Sequence, residues 1–295
     1  ANAAAVLRPD ARGELQPVEV TDRLPPAARN FGRLYVGAAA PDGVYLASPT
    51  HLIFFGHDGS TRTWPAGRVN FNGLCWLDGA LHASNGRVGL SRLENGTFVG
   101  VAAPPPSPNP AIADTLRLFA ARRATGGAEA LLLTDVGPMR WAGPGAPMVP
   151  LSAAASAAFA EDNAAAAAFL PDGRFAFSQA RRGLLIIDAD GAVSTLLTPA
   201  HGLPRGPIDH LATDDRGGLW LAQTSGVARL QIESRYATHG VIDSARAFLR
   251  RGERLYIAHY TGVVWRDDAK GDLHPVSGLP TGPGALVGVG DRVFC

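Results

Sequence analysis

The chain has 295 residues, 46% of them hydrophobic and 18% charged, with 35 glycines, 23 prolines and a formal charge of +1. That balance excludes a disordered polyelectrolyte, and arginines dispersed without a basic block argue against nucleic-acid binding. Cys75 and Cys295 make neither a disulfide framework nor a metal site, and no apolar run approaches the ~20 residues that span a bilayer.

The sequence does not begin with Met and carries no signal peptide, so it reads as a processed or excised piece of a longer product. From the N-terminus, short strands recur. The segments VYLAS (44–48), ALHAS (80–84), LLLTD (131–135), RFAFS (174–178), LWLAQ (219–223) and LYIAH (255–259) share one pattern, in which apolar and small residues alternate and end on a polar one. Their starts are 36, 51, 43, 45 and 36 residues apart. Steps of roughly 40–50 residues are those of four-stranded propeller blades.

Each unit repeats the same parts. A first strand ends in a turn such as Pro41-Asp42-Gly43, Asp78-Gly79, Pro171-Asp172-Gly173 or Asp215-Arg216-Gly217-Gly218. The second strand follows, then a link and a third strand opened by Gly137, Gly183, Gly226 or Gly262. A further turn (Asp58-Gly59, Asn95-Gly96, Asp190-Gly191, Lys270-Gly271) leads to a polar fourth strand, suited to an outer edge. Ala102–Pro110 (AAPPPSPNP) is an extended, Pro-rich connection. The run Ala153–Ala168 divides into a short helix or loop and then an inner strand.

The two ends match each other. AAVLRPDARGELQPV (4–18) aligns without a gap with GVVWRDDAKGDLHPV (262–276), so the chain opens on the third and fourth strands of a blade. ALVGVGDRVFC (285–295) supplies a first strand, a DR turn and the start of a second. The expected fold is all-β: a seven-bladed β-propeller of four-stranded antiparallel blades, its closing blade shared between the N- and C-terminal segments. Residues 1–295 form one domain on this reading, with blade seven built from 285–295 and about 4–18. Closure removes two exposed sheet edges. The rival arrangement is an excised stretch of a longer array whose ends do not meet.

HGLPRGPIDHLATDDRGGLWLAQTSGVARL (201–230) resembles the two-component-regulator propeller repeat: GLP, a first strand, D-x-x-G-x-LW, a small residue, then GL or GV. SGLPTGPGALVGVGDRVF (277–294) is a weaker copy, and TDRLPP (21–26) sits in the same place with Arg23 where the family has Gly. The resemblance implies the extracytoplasmic (periplasmic or extracellular) sensor portion of a bacterial membrane signalling protein, whose kinase, cyclase or phosphatase output would lie elsewhere.

Catalytic motifs are not written locally. No H-x-x-x-H or H-E-x-x-H pairs any of the eight histidines, and no G-x-S-x-G elbow is present. GHDGSTRTW (56–64) departs from the sialidase Asp-box spacing, and PTGPGALVGVG (280–290) lacks a P-loop Lys. Asp214 and Asp215 read as turn residues; Ser84, Ser178 and Ser225 as turn-capping hydroxyls; His82 and His210 as structural histidines. Trp64, Trp76, Trp141, Trp220 and Trp265 read as blade-packing residues with the indole N–H bonded at a rim.

What remains is the set of links after the second strands. Asn85, Asp135, Gln179, Arg181, Arg182, Gln223, Thr224, His259 and Tyr260 form a candidate ligand-binding mouth. A small polar or anionic molecule, or a partner domain of the same protein, would bind there, with the arginines suited to a carboxylate or sulfate. No cofactor, metal site, catalytic residue, nucleic acid or direct membrane insertion is expected. The leading reading is a non-enzymatic ligand-binding or sensor propeller. The alternatives are a propeller enzyme of lyase or lactonase type using His259 and Asp135, and a protein-binding scaffold.

Overall fold

A computed structural model describes residues 4–66, 71–109, 116–124, 127–201, 203–232, 235–238, 244–252, 254–267, 273–279, 284–289 and 292–295. Within them are seven four-stranded antiparallel sheets, and the fold is an all-β propeller. The chain divides into two compact units, residues 1–71 with 242–295, and residues 72–241. Gly202 of the GLP, His239, Pro280, the Lys270-Gly271 turn and Asp291 of the expected DR turn lie outside the described residues.

The 72–241 unit holds four complete blades. Their inner strands are Gly73–Leu77, Leu118–Arg123, Ala164–Phe169 and Ile208–Thr213, and each packs beside the next. The second strands are Ala80–Asn85, Ala130–Thr134, Phe175–Gln179 and Gly218–Gln223. Side-chain alternation explains how these blades stack. In blade four, Phe175, Phe177, Leu185 and Ile187 join the cluster holding Leu133 of blade three. Ala176, Leu184 and Ile186, one residue out of phase, join Ile208, Leu211, Leu219 and Leu221 of blade five. Both faces are therefore covered, and FAFSQ is buried at every position. Each Phe or Leu so enclosed contributes about 1.5–3 kcal/mol. The fourth strands carry no such demand, and Val193–Leu197 is exposed or half-buried throughout.

The helix expected before blade four is Ala153–Ala157. Ser152 caps it, accepting the Ala155 N–H at 2.9 Å and donating to the Gly191 carbonyl at 2.6 Å. Gly191 allows that approach, because a Cβ there would lie 2.7 Å from Ser152.

The other unit contains blade one (Val36–Ala40, Gly43–Ala47, His51–Gly56, Thr61–Pro65), blade six (Ala247–Arg251, Arg254–His259, Gly262–Asp267, Leu273–Pro275) and the composite blade. In the composite blade the strand order is Leu15–Glu19, Ala5–Pro9, Arg292–Phe294, Val287–Val289. The ends meet as an antiparallel pair, Val6 opposite Phe294 and Leu7 opposite Val293. Alternation again divides the faces: Val6 and Phe294 pack with Val44, Leu46 and Phe55 of blade one, while Leu7 and Val293 pack with Tyr256 and Ala258 of blade six. TDRLPP runs through two short 3-10 turns, Thr21–Arg23 and Pro26–Ala28.

Candidate ligand-binding face

In each blade the link after the second strand and the segment approaching the inner strand lie at the same end. That geometry puts the polar residues closing the second strands against backbone that has no ladder partner. A buried carbonyl or N–H there needs one.

The 72–241 unit meets the demand with side chains. Gln223, 1% exposed, donates through Nε2 to the carbonyls of Pro204 at 3.1 Å and Gly206 at 3.4 Å. Gln179, 3% exposed, donates to Ala158 at 2.8 Å and Asp162 at 3.0 Å, and its Oε1 has no hydrogen-bond partner among the described residues. The Asp135 carboxylate accepts the Arg117 N–H at 2.9 Å. Ser84 accepts the Leu118 N–H at 3.0 Å, joining blade two to blade three. Ser178 accepts the Ala166 N–H and donates to the Ile208 carbonyl at 3.0 Å, joining blade four to blade five. Ser84 and Ser178 thus bridge blades rather than capping turns, and Ser225 donates to the Arg205 carbonyl.

Three predicted binding residues, Asp135, Gln179 and Gln223, are therefore clamps beneath the surface. Asn85 is half-buried, and Thr224 is exposed. Arg181 is exposed; its backbone N–H bonds Asp162 at 2.7 Å and its guanidinium stands 3.9 Å from the same carboxylate. The Arg182 guanidinium donates to the Ala158 carbonyl at 3.5 Å. Asp162 is buried while the Arg181 side chain is exposed, and at 3.9 Å the contact leaves the guanidinium able to take another partner.

Sequence reading passed over Arg117. It precedes the inner strand of blade three and is exposed, with its guanidinium 5.0 Å from the Phe119 ring centroid. Desolvation lowers its pKa, and the charges of Asp135 and Asp209 oppose that shift. Burial raises the Asp135 pKa against the lowering effect of the Arg117 N–H. His210 is pushed down to about 4, first by burial and then by Arg117. No local sequence pattern marked Arg117, and its setting is visible only in the strand register. The inner strands of blades three, four and five all bulge at this end, around Phe119, Ala165 and Asp209. No group of three or more His, Cys, Asp or Glu is placed for a metal ion among the described residues.

In the other unit, His259 is half-buried and its Nδ1 is 3.1 Å from Thr261 Oγ1. Tyr260 is 58% exposed, with the Arg246 guanidinium 5.4 Å from its ring centroid. Ser48 follows the second strand of blade one and turns inward, accepting the His51 N–H at 2.9 Å.

No protein-family model and no curated protein matches the sequence. Solved structures do share the fold. The chain is similar to the extracellular domain of a B. thetaiotaomicron protein assigned as a hybrid two-component system, at TM-score 0.60 and 14% identity over 86% of this chain. It spans 36% of that structure's length. It is also similar to the WD40 propeller of Doa1 (TM-score 0.63, 13% identity, 90% of this chain and 93% of that one). YCF48 bound to a D1 peptide gives TM-score 0.62 at 10% identity, over 83% of this chain and 82% of that one. At such identities the likeness is one of fold.

Proposed function

We propose that this propeller is the non-enzymatic binding module of an extracytoplasmic bacterial signalling protein, taking a small polar or anionic ligand or a partner domain at the link ends of its blades. One observation carries the reading. The buried polar side chains at those ends are bonded to backbone, so what meets another molecule is a surface of exposed and recessed donors: Arg117, Arg181 and Thr224 in one unit, Tyr260 in the other. Donors on a rigid base suit recognition. The lyase or lactonase alternative has less support: the Asp135 carboxylate is buried and holds the Arg117 N–H, and His259 is half-buried beside Thr261. Likeness to extracellular domains of proteins assigned as two-component systems supports the signalling context by analogy of fold.

The test is a thermal-shift and calorimetric survey of the purified chain against neutral sugars and small organic acids, with turnover followed in parallel. Saturable binding without turnover is expected. Catalytic turnover of any ligand would overturn the reading.

A further inference from the structure

The unit made of blades one, six and the composite blade carries an arginine at the link end of two of its inner strands. Arg33 lies three residues before the inner strand Val36–Ala40, and Arg246 immediately before the inner strand Ala247–Arg251. Between those strands runs Val287–Val289 of the composite blade, which contacts both. The approach segments of three successive blades thus converge, and two of them carry a guanidinium.

Neither cation has an acidic partner among the described residues, unlike Arg29, Arg62, Arg123 or Arg174, each of which has a carboxylate within 4 Å. Both are held in place all the same. Arg246 has its N–H on the Ala258 carbonyl at 2.8 Å and its guanidinium over the exposed Tyr260 ring. Arg33 lies along the backbone at Gly284, where a Cβ would come 2.7 Å from its Nε and 2.3 Å from the Leu34 carbonyl oxygen. Glycine at 284 is what lets the guanidinium settle there. The Arg33 pKa is lowered, first by desolvation and then by the charge of Arg246. Two like charges with no carboxylate partner among the described residues favour the arrival of an anion, and guanidinium forks match planar oxyanions.

We infer that Arg33 and Arg246, with Tyr260 as the platform beneath Arg246, form a binding site for the carboxylate, sulfate or phosphate group of a small molecule. The site deepens the binding-module reading and rests on it only for its biological purpose. Its oxyanion would lie between the two guanidinium groups.

The experiment titrates the whole chain with sodium sulfate and, separately, with citrate, at ionic strength held constant with chloride, and reads melting temperature and heat. Saturable binding to one site is expected, with free sulfate or citrate distinguishing the preferred oxyanion. Arg33→Gln and Arg246→Gln should each weaken it about tenfold, the size of one charged hydrogen bond. Tyr260→Phe should keep the affinity within about twofold, since the ring face persists, whereas Tyr260→Ala should weaken it about threefold. Wild type without saturable anion binding overturns the site, and so do arginine variants that bind as wild type does. A chain that binds a neutral sugar and no anion would overturn this site while leaving the binding-module reading intact.

Discussion

Asp214 holds Trp220: its Oδ2 accepts the indole Nε1–H at 2.9 Å inside blade five, where both residues are at most 5% exposed. The same carboxylate accepts the N–H of Gly218 at 2.7 Å and the Arg229 Nε at 2.7 Å. One acidic side chain thus closes the turn, fixes the largest aromatic of the blade and pairs a cation. Trp141 differs. It packs in the cluster between blades two and three, edge-on to His82 at 5.6 Å, and its indole N–H has no hydrogen-bond partner among the described residues. The rim partner expected for it is not found there. Trp220→Phe should therefore cost about 1–3 kcal/mol more than Trp141→Phe, because only the first strips a buried carboxylate of a donor. Chemical denaturation of the two variants measures the difference; equal losses would contradict the assignment.

Removing the carboxylate itself is expected to be worse. Asp214→Ala leaves Arg229 and two backbone N–H groups in blade five without their acceptor, and a loss of about 3–5 kcal/mol follows for breaking a buried pair. The pH dependence has a definite sign. Burial pushes the Asp214 carboxyl up, but its bonds to Arg229, Gly218 and Trp220 outweigh that and its pKa is lowered. Its stabilisation is present above the unfolded value of about 3.9 and fades as pH falls through the lowered native value. Urea midpoints of the wild type should thus drop below pH 4 more steeply than those of Asp214→Ala.

His210 governs a different window. With a native pKa of about 4 it stays neutral in the fold, while the unfolded chain takes up a proton below about 6.5. Stability should fall between those values by up to about 1.4 kcal/mol per pH unit, and His210→Gln should flatten that part of the curve. Denaturation at pH 7 and pH 4.5 decides it; parallel losses in both proteins would contradict the effect.

Clamp and surface should separate by mutation. Gln223→Ala strands the Pro204 and Gly206 carbonyls and should cost about 1–3 kcal/mol. The neighbouring Thr224→Ala, on an exposed side chain, should stay within about 0.5 kcal/mol. Melting curves of the pair check this, and a destabilised Thr224→Ala would place that residue in the framework.

Inner-strand packing offers a backbone test. A Cβ at Gly73 would come 1.8 Å from the Leu118 carbonyl oxygen, so blades two and three can approach only if residue 73 is glycine. Gly73→Ala should destabilise by about 1–3 kcal/mol, as overpacking does, and a neutral result in thermal denaturation would show that the blades separate freely.

Much of the architecture was legible in the chain because period-two alternation is a local signal. FAFSQ, LWLAQ and LYIAH announced their second strands, and the match of 4–18 with 262–276 announced the composite blade that Val6–Phe294 pairing completes. The turn aspartates were legible too: Asp58, Asp172 and Asp190 each accept the N–H two residues on. The candidate site was read less well. A polar residue at the end of a strand or in the link after it looks the same in sequence whether it faces solvent, as Thr224 does, or folds back onto a carbonyl, as Gln223 does.

By itself, then, the sequence determined the blade repeat and the strand order within each blade, since alternation and turn chemistry act between near neighbours; it left two arrangements open for the ends, and the Val6–Phe294 pairing decided between them. Only the tertiary structure decided which polar groups remain available. Asp135, Gln179 and Gln223 are taken up because approach segments distant in sequence bring unpaired backbone against them, and Arg33 and Arg246, with no carboxylate partner among the described residues, come to one end of their unit because the inner strands of three blades run side by side. Desolvation and backbone satisfaction are properties of the assembled surroundings, and no stretch of the chain carries them alone.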